Sequence, residues 1–351
     1  MLSEIKNTIE GHLVHFFEHS DEARTLRKIS PLLFTEIRNF VLREGKRIRP
    51  ALFVISYCGY AKKLTRNLYT TAIALELLHD FVLIHDDIID DSDSRRGYPS
   101  MHTIFDDYLT RHKNVRCGGK EFAIVIGDMI YAMAIRALLS LREDMRRKEK
   151  AFALIAETAV YTGGGEFLEL LYGPRDLECL RKTDICTMYD LKTARYTFCC
   201  PLTMGAILAG APQNETRTLC ECGIYLGRAF QIEDDIEDMF GQGGDRASPS
   251  PVDAREVKIT FLLWHAYRNG SARTQRELKR ILNKDCLGQR DLIKMREMMC
   301  ASGTLEYART EIYALTRKAT KLIASLRMRP EHKHLLHSYS LELLRIGHAT
   351  S

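Results

Sequence analysis

Helical periodicity extends over almost the whole chain. Apolar residues recur at three- and four-residue spacing, the period of an amphipathic α-helix, and almost no segment alternates as a β-strand does. Glycine and proline interrupt the pattern at intervals, and the segments that they separate do not differ in composition. We therefore predict an all-α fold in which residues 1–351 form one large helical domain. The helical segments are expected near residues 31–44, 48–60, 66–90, 121–142, 149–172, 185–209, 217–239, 257–268, 274–283, 289–298, 302–325 and 331–347.

Composition and charge exclude several classes of protein. The 351-residue chain is 45% hydrophobic and 28% charged, which is typical of a globular protein rather than a disordered or collagenous one. Its net charge of +5 is small for its length, so no nucleic-acid partner is predicted. The N-terminal segment is amphipathic and lacks the apolar core of a secretory signal. The ten cysteines include no Cys-x-x-Cys pair and are expected to be reduced, so we predict a cytoplasmic protein.

Two aspartate-rich pentapeptides are the most informative motifs of the chain. Their aspartates are Asp86, Asp87 and Asp90 of DDIID, and Asp234, Asp235 and Asp238 of DDIED. Helical residues four apart share a face, so the outer aspartates of each motif would repel one another unless a cation lies between them. Oxygen ligands without a His or Cys cluster favour a hard ion such as Mg²⁺, which also binds phosphate oxygens. A solvated acidic helix surface is the alternative for one motif alone, but both motifs follow apolar runs that would bury them.

Cations that suit a diphosphate ligand lie at turns and inside one apolar run. Lys46 and Arg49 belong to GKRIRP, and Arg95 and Arg96 closely follow the first aspartate motif. Lysine offers a compact charge and arginine a bidentate fork for phosphate oxygens. A short basic turn by itself is also typical of a solvated surface. Lys192 lies in MYDLKTARYTF, where burial requires an anionic partner, so we expect a functional anion beside it.

Together these motifs resemble those of the trans-isoprenyl diphosphate synthases, the chain-elongating prenyltransferases that include farnesyl and geranylgeranyl diphosphate synthases. The resemblance covers about residues 40–260, where GKRIRP, LLHDFVLIHDDIID, RRG, KTA, GRAFQIEDDIED and EVKIT follow the order and spacing of the family. It implies a homodimeric, Mg²⁺-dependent enzyme whose helical bundle encloses a central active-site cavity. Its substrates would be isopentenyl diphosphate and an allylic diphosphate, and its product a short-chain all-trans prenyl diphosphate.

The resemblance also implies a role for each motif residue. Both aspartate motifs would bind metal, about three Mg²⁺ ions in all, on the allylic diphosphate. The residues that resemble direct contacts to this diphosphate are Arg95, Lys192 and Lys258. The residues that resemble the metal-free pocket for isopentenyl diphosphate are Lys46, Arg49, His79 and Arg96. The catalytic groups that resemble those steadying the allylic carbocation are Lys192, Thr193 and Gln231.

The resemblance implies that bulk beneath the first aspartate motif limits product length, and the residues at that position are Phe81 and Val82. Phe81 lies five residues before Asp86, about 7.5 Å along a helix, where its ring should stop a growing chain after a few isoprene units. We therefore favour geranylgeranyl diphosphate, with twenty carbons, over farnesyl diphosphate, with fifteen. Core packing is the alternative role of Phe81. So apolar a product is expected to need transient membrane contact for its release.

The segment 241–253, GQGGDRASPSPVD, is expected to close over the active site and exclude water. Members of the family usually carry a lysine there, whereas this chain offers only Arg246 as a substitute. Two other functions share the scaffold. A terpene synthase would lose the basic isopentenyl diphosphate pocket, and a modifying subunit would lose an aspartate motif, but this chain keeps both features. The altered loop leaves a modifying subunit of reduced activity open.

Overall fold

The computed structural model describes residues 1–112, 115–172, 177–241, 258–284 and 287–346. α-Helices account for most of these residues, which confirms the predicted all-α fold. Their bounds are Leu2–His19 (α1), Asp21–Ile29 (α2), Pro31–Val41 (α3), Ile48–Tyr60 (α4), Leu68–Ile89 (α5), Met101–Leu109 (α6), Gly119–Leu139 (α7), Met145–Leu171 (α8), Lys182–Tyr189 (α9), Cys200–Ala209 (α10), Gln213–Phe240 (α11), Phe261–Asn269 (α12), Ala272–Leu282 (α13), Gln289–Ala301 (α14), Thr304–Ser325 (α15) and Pro330–Leu343 (α16). A π-helix, Asp190–Cys199, joins α9 to α10. Two short strands, Ser94–Arg95 (β1) and Tyr98–Pro99 (β2), pair in an antiparallel hairpin.

Capping side chains explain where several helices begin. Ser20 accepts a backbone hydrogen bond at 3.1 Å and starts α2, a helix that the apolar periodicity did not indicate. Ser30 caps α3 in the same way, and Pro31 occupies the first helical position. Thr260 accepts a backbone hydrogen bond at 3.2 Å at the start of α12. These caps satisfy backbone N–H groups that have no partner within the helix.

The first of two compact units comprises Met1–Val54 and Lys62–Lys148. Its central helix is α5, which buries side chains around most of its circumference and packs against α7. A helix that is apolar on nearly all sides is a core helix. Because α1, α3 and α6 also contact α5, the aspartate motif at the C-terminal end of α5 has a firmly packed support.

The second compact unit comprises Ile55–Ala61 and Glu149–Ser351. Its central helix is α11, which packs against both the π-helix and α15. Leu219, Leu226 and Phe230 are among its buried residues and recur at helical spacing. The second aspartate motif lies near the C-terminal end of α11. A single domain over residues 1–351 stays a prediction.

Helix α7 is, within the described ranges, the one helix long and apolar enough to cross a membrane. Of its most apolar stretch, 44% is buried. Ile126, Ile130 and Ala134 are among the buried residues, and α7 packs against α5 and α6. A core helix of a globular unit carries the same hydropathy. The nine described cysteines are free, as expected for reduced thiols.

Candidate active site

The first aspartate motif occupies the last turn of α5. One carboxylate oxygen of Asp86 and one of Asp90 lie within 4.8 Å of each other, as the four-residue spacing predicts. Both side chains are half-buried, whereas Asp87 is fully buried. The outer aspartates therefore offer two neighbouring oxygens, and the middle one lies inside the protein.

Asp87 is paired with Arg95, which lies on the β1–β2 hairpin. The Arg95 Nε donates to Oδ1 of Asp87 at 2.7 Å, and its Nη2 donates to the same oxygen and lies 3.5 Å from Oδ2 of Asp86. Burial raises the pKa of Asp87 to about 6, although Arg95 acts in the opposite direction. Burial also disfavours the charge of Arg95, but Asp87 outweighs this effect and raises the pKa of Arg95. Arg95 therefore compensates the buried charge of the first motif.

The residues of the first motif fit a hard divalent cation. The Oδ2 atom of Asp87 is buried and has no hydrogen-bond partner in the part of the chain that the structure describes. A buried carboxylate oxygen is costly unless a donor or a cation compensates it. The neighbouring oxygens of Asp86 and Asp90 are oxygen donors of the kind that Mg²⁺ prefers, and Arg95 compensates the buried charge of Asp87.

Three of the predicted isopentenyl diphosphate contacts are grouped in the first unit. A Cβ atom on Gly45 would lie 3.0 Å from the Arg96 guanidinium, so the glycine makes room for that side chain. Burial lowers the pKa of His79 well below its ordinary value, and the charges of Arg49 and Arg96 lower it further. His79 is therefore neutral at pH 7. Arg49 is half-buried, Lys46 is exposed, and the roles of all four residues stay predictions.

The second aspartate motif has a different interior. Asp235 is buried, and its two carboxylate oxygens accept hydrogen bonds from the Tyr189 hydroxyl and from Nε2 of Gln231, the latter at 3.1 Å. The Tyr189 hydroxyl accepts a hydrogen bond from the Phe261 N–H at 2.6 Å. Burial raises the pKa of Asp235 to about 8, although the two donors lower it. Asp235 is thus bound by neutral protein groups.

The outer aspartates of the second motif are better suited to bind a cation than the middle one. Asp234 is half-buried and Asp238 is exposed, and their four-residue spacing places them on one face of α11. Asp235 was predicted as a metal ligand, but both of its carboxylate oxygens already accept hydrogen bonds from the protein. These contacts make Asp235 an anchor for Tyr189 and Gln231, and its role as a metal ligand stays a prediction.

Lys192 and Lys258 converge on one glutamate. The Nζ of Lys192 lies 2.8 Å from Glu166 and also contacts Glu169, and the Nζ of Lys258 lies 2.9 Å from Glu169. The sequence predicted a functional anion beside Lys192, and in the free protein these glutamates supply the negative charge. Both lysines are therefore held at one place in the second unit.

Thr193 and Gln231, two of the predicted catalytic residues, contact each other. The Thr193 hydroxyl donates to Oε1 of Gln231 at 2.6 Å. Gln231 in turn donates to Asp235, so the position of the Thr193 hydroxyl depends on two successive hydrogen bonds. Lys192 precedes Thr193 on the π-helix, so the three predicted catalytic side chains lie within the second unit.

The π-helix explains how Lys192 and Thr193 are presented. Such helices are rare and occur frequently at functional sites. A Cβ atom on Gly165 of α8 would lie 2.4 Å from the backbone nitrogen of Lys192, and one on Gly227 of α11 would lie 2.3 Å from the Cα of Ala194. Both distances are far below ordinary van der Waals contact. The two glycines therefore allow neighbouring backbones to approach the π-helix closely.

An aromatic contact occupies the predicted chain-length position. The Phe81 ring centroid lies 4.6 Å from that of His85 and 5.2 Å from that of Tyr131 on α7. Phe81 and Val82 are half-buried, and Tyr131 is 41% exposed. The structure thus places the Tyr131 ring beside Phe81, which lies about one and a half helical turns before Asp86.

Three contributors to the site were missed from the sequence. Tyr189 belongs to no recognisable motif, Arg47 was only one more cation of GKRIRP, and Glu169 was noted only as the end of the stretch Gly165–Glu169, which resembles the family's Gly-Gln-x-x-Asp, without a role. The one signal that would have indicated Tyr189 is a polar residue next to a run of periodically spaced apolar residues, where burial is expected. The segment 242–257, with Arg246, lies outside the described residues.

Comparison with known proteins decides the family. A family model described as Polyprenyl synthetase matches residues 30–299. The chain belongs to the polyprenyl synthetase family. An octaprenyl diphosphate synthase of Escherichia coli is 31% identical to it, over 82% of this chain and 81% of the relative.

Other polyprenyl synthetases resemble the chain over a larger share of its length. A geranylgeranyl diphosphate synthase of Saccharolobus solfataricus is 29% identical, over 93% of this chain and 90% of the relative. The crystal structure of a geranylgeranyl pyrophosphate synthase from Corynebacterium glutamicum, complexed with isoprenyl diphosphate and magnesium, has a TM-score of 0.88 at 24% identity, over 99% of both chains. The structural likeness shows the shared fold, and the relatives of this polyprenyl synthetase differ in product length.

Proposed function

We propose that this polyprenyl synthetase condenses isopentenyl diphosphate with an allylic diphosphate to give a short-chain all-trans prenyl diphosphate. The observation that carries the proposal is the arrangement of the first unit. There the DDIID carboxylates and Arg95 form one group, and Arg49, His79 and Arg96 form another. The first group suits a metal-bound diphosphate and the second a metal-free one. Two kinds of diphosphate site favour elongation over ionisation alone.

Magnesium is the proposed cofactor, with about three ions per active site. The ligands we assign to it are Asp86, Asp87, Asp90, Asp234, Asp235 and Asp238. When bound, Mg²⁺ supplies electrostatic stabilisation of negative charge on the diphosphate. The cations we assign to the allylic diphosphate itself are Arg95, Lys192 and Lys258. Because Lys192 and Lys258 are held by glutamates beforehand, little reorganisation is needed when the substrate binds.

The proposed reaction begins when the allylic C–O bond breaks and its electron pair leaves with the diphosphate. Lys192 and Lys258 stabilise the charge on this leaving group, and the oxygen atoms of Thr193 and Gln231 steady the allylic cation. The double bond of isopentenyl diphosphate then forms the new carbon–carbon bond. The isopentenyl unit finally loses a proton to the released diphosphate, so no protein base is required.

The pocket for isopentenyl diphosphate is assigned to Lys46, Arg49, His79 and Arg96. Three of these residues supply positive charge for the diphosphate group. His79 is neutral at pH 7 because burial and the surrounding arginines lower its pKa. It therefore contributes hydrogen bonding without adding to the repulsion among the cations.

Geranylgeranyl diphosphate is the proposed product. The Phe81 ring, backed by Tyr131, supports an early stop to elongation. Relatives that make geranylgeranyl and octaprenyl diphosphates are similarly close to this chain, so the proposal depends on the two rings rather than on overall identity. Farnesyl diphosphate is the alternative product.

A homodimer is also part of the proposal. Large apolar side chains of α7 remain exposed, among them Val125 at 58% and Leu139 at 55%. Exposed apolar patches mark interaction surfaces, and a second copy would cover this one. Light scattering coupled to size exclusion should therefore give twice the chain mass of 40.3 kDa. We place the enzyme in the cytoplasm, with transient membrane contact for product release.

Product analysis tests the proposed function. Purified protein is incubated with Mg²⁺, isopentenyl diphosphate and each allylic starter in turn, and the alcohols are identified after phosphatase treatment. We expect a twenty-carbon alcohol that disappears when EDTA replaces Mg²⁺. Unextended or cyclised hydrocarbons would indicate a terpene synthase. No turnover with any starter would favour the modifying subunit.

A further inference from the structure

Arg47 belongs to the basic turn of GKRIRP, but its side chain is directed into the protein. The side chain of Arg47 is 1% exposed, whereas Lys46 beside it is exposed. The Nε of Arg47 donates to Oε1 of Glu10 on α1 at 2.6 Å, and its Nη1 donates to Oε1 of Glu76 on α5 at 2.7 Å. All three of its nitrogens have acceptors, because Nη2 donates to two backbone carbonyl groups at 2.8 and 3.2 Å. Arg47 is therefore not available to a diphosphate.

The backbone at Arg47 is in a conformation that non-glycine residues rarely adopt. Its φ is 48°, in the left-handed region, which costs about 1 kcal/mol for a residue with a side chain. The carbonyl group of Arg47 accepts the Ala51 N–H at 3.1 Å in the first turn of α4. The unusual turn thus lies directly between Lys46 and the helix that contains Arg49. Its shape decides where those two cations stand relative to each other.

The ion pairs of Arg47 are strong enough to hold such a turn. Glu76 is 1% exposed, and separating a buried pair leaves an uncompensated charge, which is strongly unfavourable. Burial disfavours the charge of Arg47, but Glu76 and Glu10 outweigh this effect and raise its pKa. The pairs therefore persist at any pH at which the protein is folded and the two glutamates are ionised.

Glu76 also connects the turn to the rest of the pocket. It lies on α5 three residues before His79, so the two side chains are neighbours along the helix surface. Cations crowd this region, since Arg47, Arg49 and Arg96 all act on His79 and lower its pKa. Mutual repulsion would spread these cations apart unless buried anions hold the segment in place.

We propose that Arg47 is a positioning residue for isopentenyl diphosphate. Its ion pairs with Glu10 and Glu76 hold the strained turn against α5. The turn in turn fixes the positions of Lys46 and Arg49 relative to His79. This inference rests on the proposed function, which assigns Lys46, Arg49 and His79 to that substrate. Arg47 itself touches no substrate. It lowers the cost of binding because the cations are arranged before the diphosphate arrives.

Steady-state kinetics of three variants and one control variant tests this role. Arg47→Met removes both ion pairs, Arg47→Lys keeps the charge, and Glu10→Gln weakens only the more exposed pair. For Arg47→Met we expect the KM for isopentenyl diphosphate to rise roughly 10- to 100-fold, because small displacements of binding groups have effects of that size. Arg47→Lys and Glu10→Gln should give smaller increases. The KM for the allylic substrate should stay within about twofold in all three.

Glu311→Gln is the matched control. Glu311 is a half-buried glutamate that accepts from Lys182, and neither residue is assigned to a substrate. It should leave both KM values unchanged, which separates positioning from a general loss of stability. If Arg47→Met does not fold, Glu10→Gln and Arg47→Lys still decide the question. Unchanged KM for isopentenyl diphosphate in both, or an equal rise in both KM values, would overturn the inference.

Direct binding keeps this test separate from the proposed function. Titration calorimetry of isopentenyl diphosphate into the Mg²⁺-free protein requires no turnover. If the wild type makes no elongated product but binds isopentenyl diphosphate, and the variants bind it more weakly, the proposed reaction fails while the positioning role stands. If the wild type elongates and the variants bind the ligand as tightly as the wild type does, the positioning role fails alone.

Discussion

The two aspartate motifs, DDIID in α5 and DDIED in α11, bury their middle carboxylates by different means. Asp87 is paired with a cation, Arg95, whereas Asp235 accepts hydrogen bonds from the neutral Tyr189 and Gln231. The pKa is about 6 for Asp87 and about 8 for Asp235, so the second carboxyl keeps its proton to higher pH. Two motifs of nearly identical sequence therefore bury their middle carboxylates differently. The first pairs its carboxylate with a cation, and the second surrounds its carboxyl with neutral hydrogen-bond donors. The difference lies in the partners: Arg95 follows Asp87 by 8 residues in the hairpin, whereas Tyr189 precedes Asp235 by 46 residues.

The largest expected effect concerns what the motifs share. Asp86→Asn and Asp234→Asn should each lower kcat/KM by about 100- to 1000-fold, because each removes a charged group assigned to stabilising the diphosphate. The rate of product formation at saturating Mg²⁺ measures the effect. Asp107→Asn, at an exposed aspartate of α6, is the control and should be silent. Wild-type activity in either motif variant would contradict the assigned metal ligands.

The next largest expected effect distinguishes the buried environment of Asp87 from that of Asp235. Arg95→Met should lower the free energy of unfolding by about 3 kcal/mol, because it leaves a buried carboxylate without its cation. Tyr189→Phe should cost less, about 2 kcal/mol, because it removes the hydrogen bonds with Asp235 and with the Phe261 N–H, while Asp235 keeps its hydrogen bond from Gln231. Urea denaturation at pH 7.5 in EDTA measures both values. Arg95→Lys should recover part of the loss, and equal losses in the methionine and phenylalanine variants would show that the two interiors do not differ.

A third experiment compares the rings that precede the motifs. Phe81 lies five residues before Asp86 and contacts Tyr131, whereas Phe230 lies four residues before Asp234 and packs against Phe198 at 5.5 Å. Phe81→Ala should lengthen the product by one or more isoprene units, since it opens space beneath the first motif. Phe230→Ala should reduce stability without changing product length. Chromatography of the dephosphorylated alcohols distinguishes these outcomes, and identical product profiles for Phe81→Ala and the wild type would remove Phe81 as a chain-length residue.

The smallest effect comes from Asp80, a buried carboxyl on which Arg47, Arg96 and Arg49 act only through their charges. Within the described residues no hydrogen bond reaches either of its oxygens, and burial, reinforced by Glu76, raises its pKa well above the ordinary value. The Asp80 carboxyl loses its proton at about pH 4 in the unfolded chain but only at higher pH in the folded protein. The free energy of unfolding therefore falls as pH rises from the pKa of the unfolded state to that of the folded state. Asp80→Asn removes this loss.

The melting temperature of Asp80→Asn should therefore exceed that of the wild type at pH 7, and the difference should shrink toward pH 4. Differential scanning calorimetry across this range measures it, with Asp107→Asn as the exposed counterpart. A variant that melts below the wild type at pH 7 would show that the arginines around Asp80 rely on its charge.

The sequence predicts the long helices and the motif residues well, but not the contacts that give those residues their environment. α5 was expected over 66–90 and spans Leu68–Ile89, because apolar periodicity is strong in a core helix. The π-helix was expected to be an ordinary helix within 185–209, since ten residues of apolar pattern do not separate the two periods. Short elements such as α2 and the β1–β2 hairpin were missed because they carry too few apolar residues.

The same limit applies to the site. Tyr189 lies 46 residues from Asp235, and Glu10 lies 37 residues from Arg47. Only tertiary packing brings such pairs together, so no local spacing could have indicated them. The conventional helix spacing of the aspartates, by contrast, was sufficient to predict the neighbouring oxygens of the first motif.

The two glycines beside the π-helix affect how this protein can be engineered. Lys192 owes its position to Gly165 and Gly227, where even one methyl group would collide with the backbone of the π-helix. A mutant library aimed at polar residues around Lys192 would leave both glycines untouched. A library covering every position should find them as intolerant of change as the lysine itself, although neither has a side chain that could take part in the chemistry. Redesign of this region should therefore keep these two positions constant and vary the side chains around them.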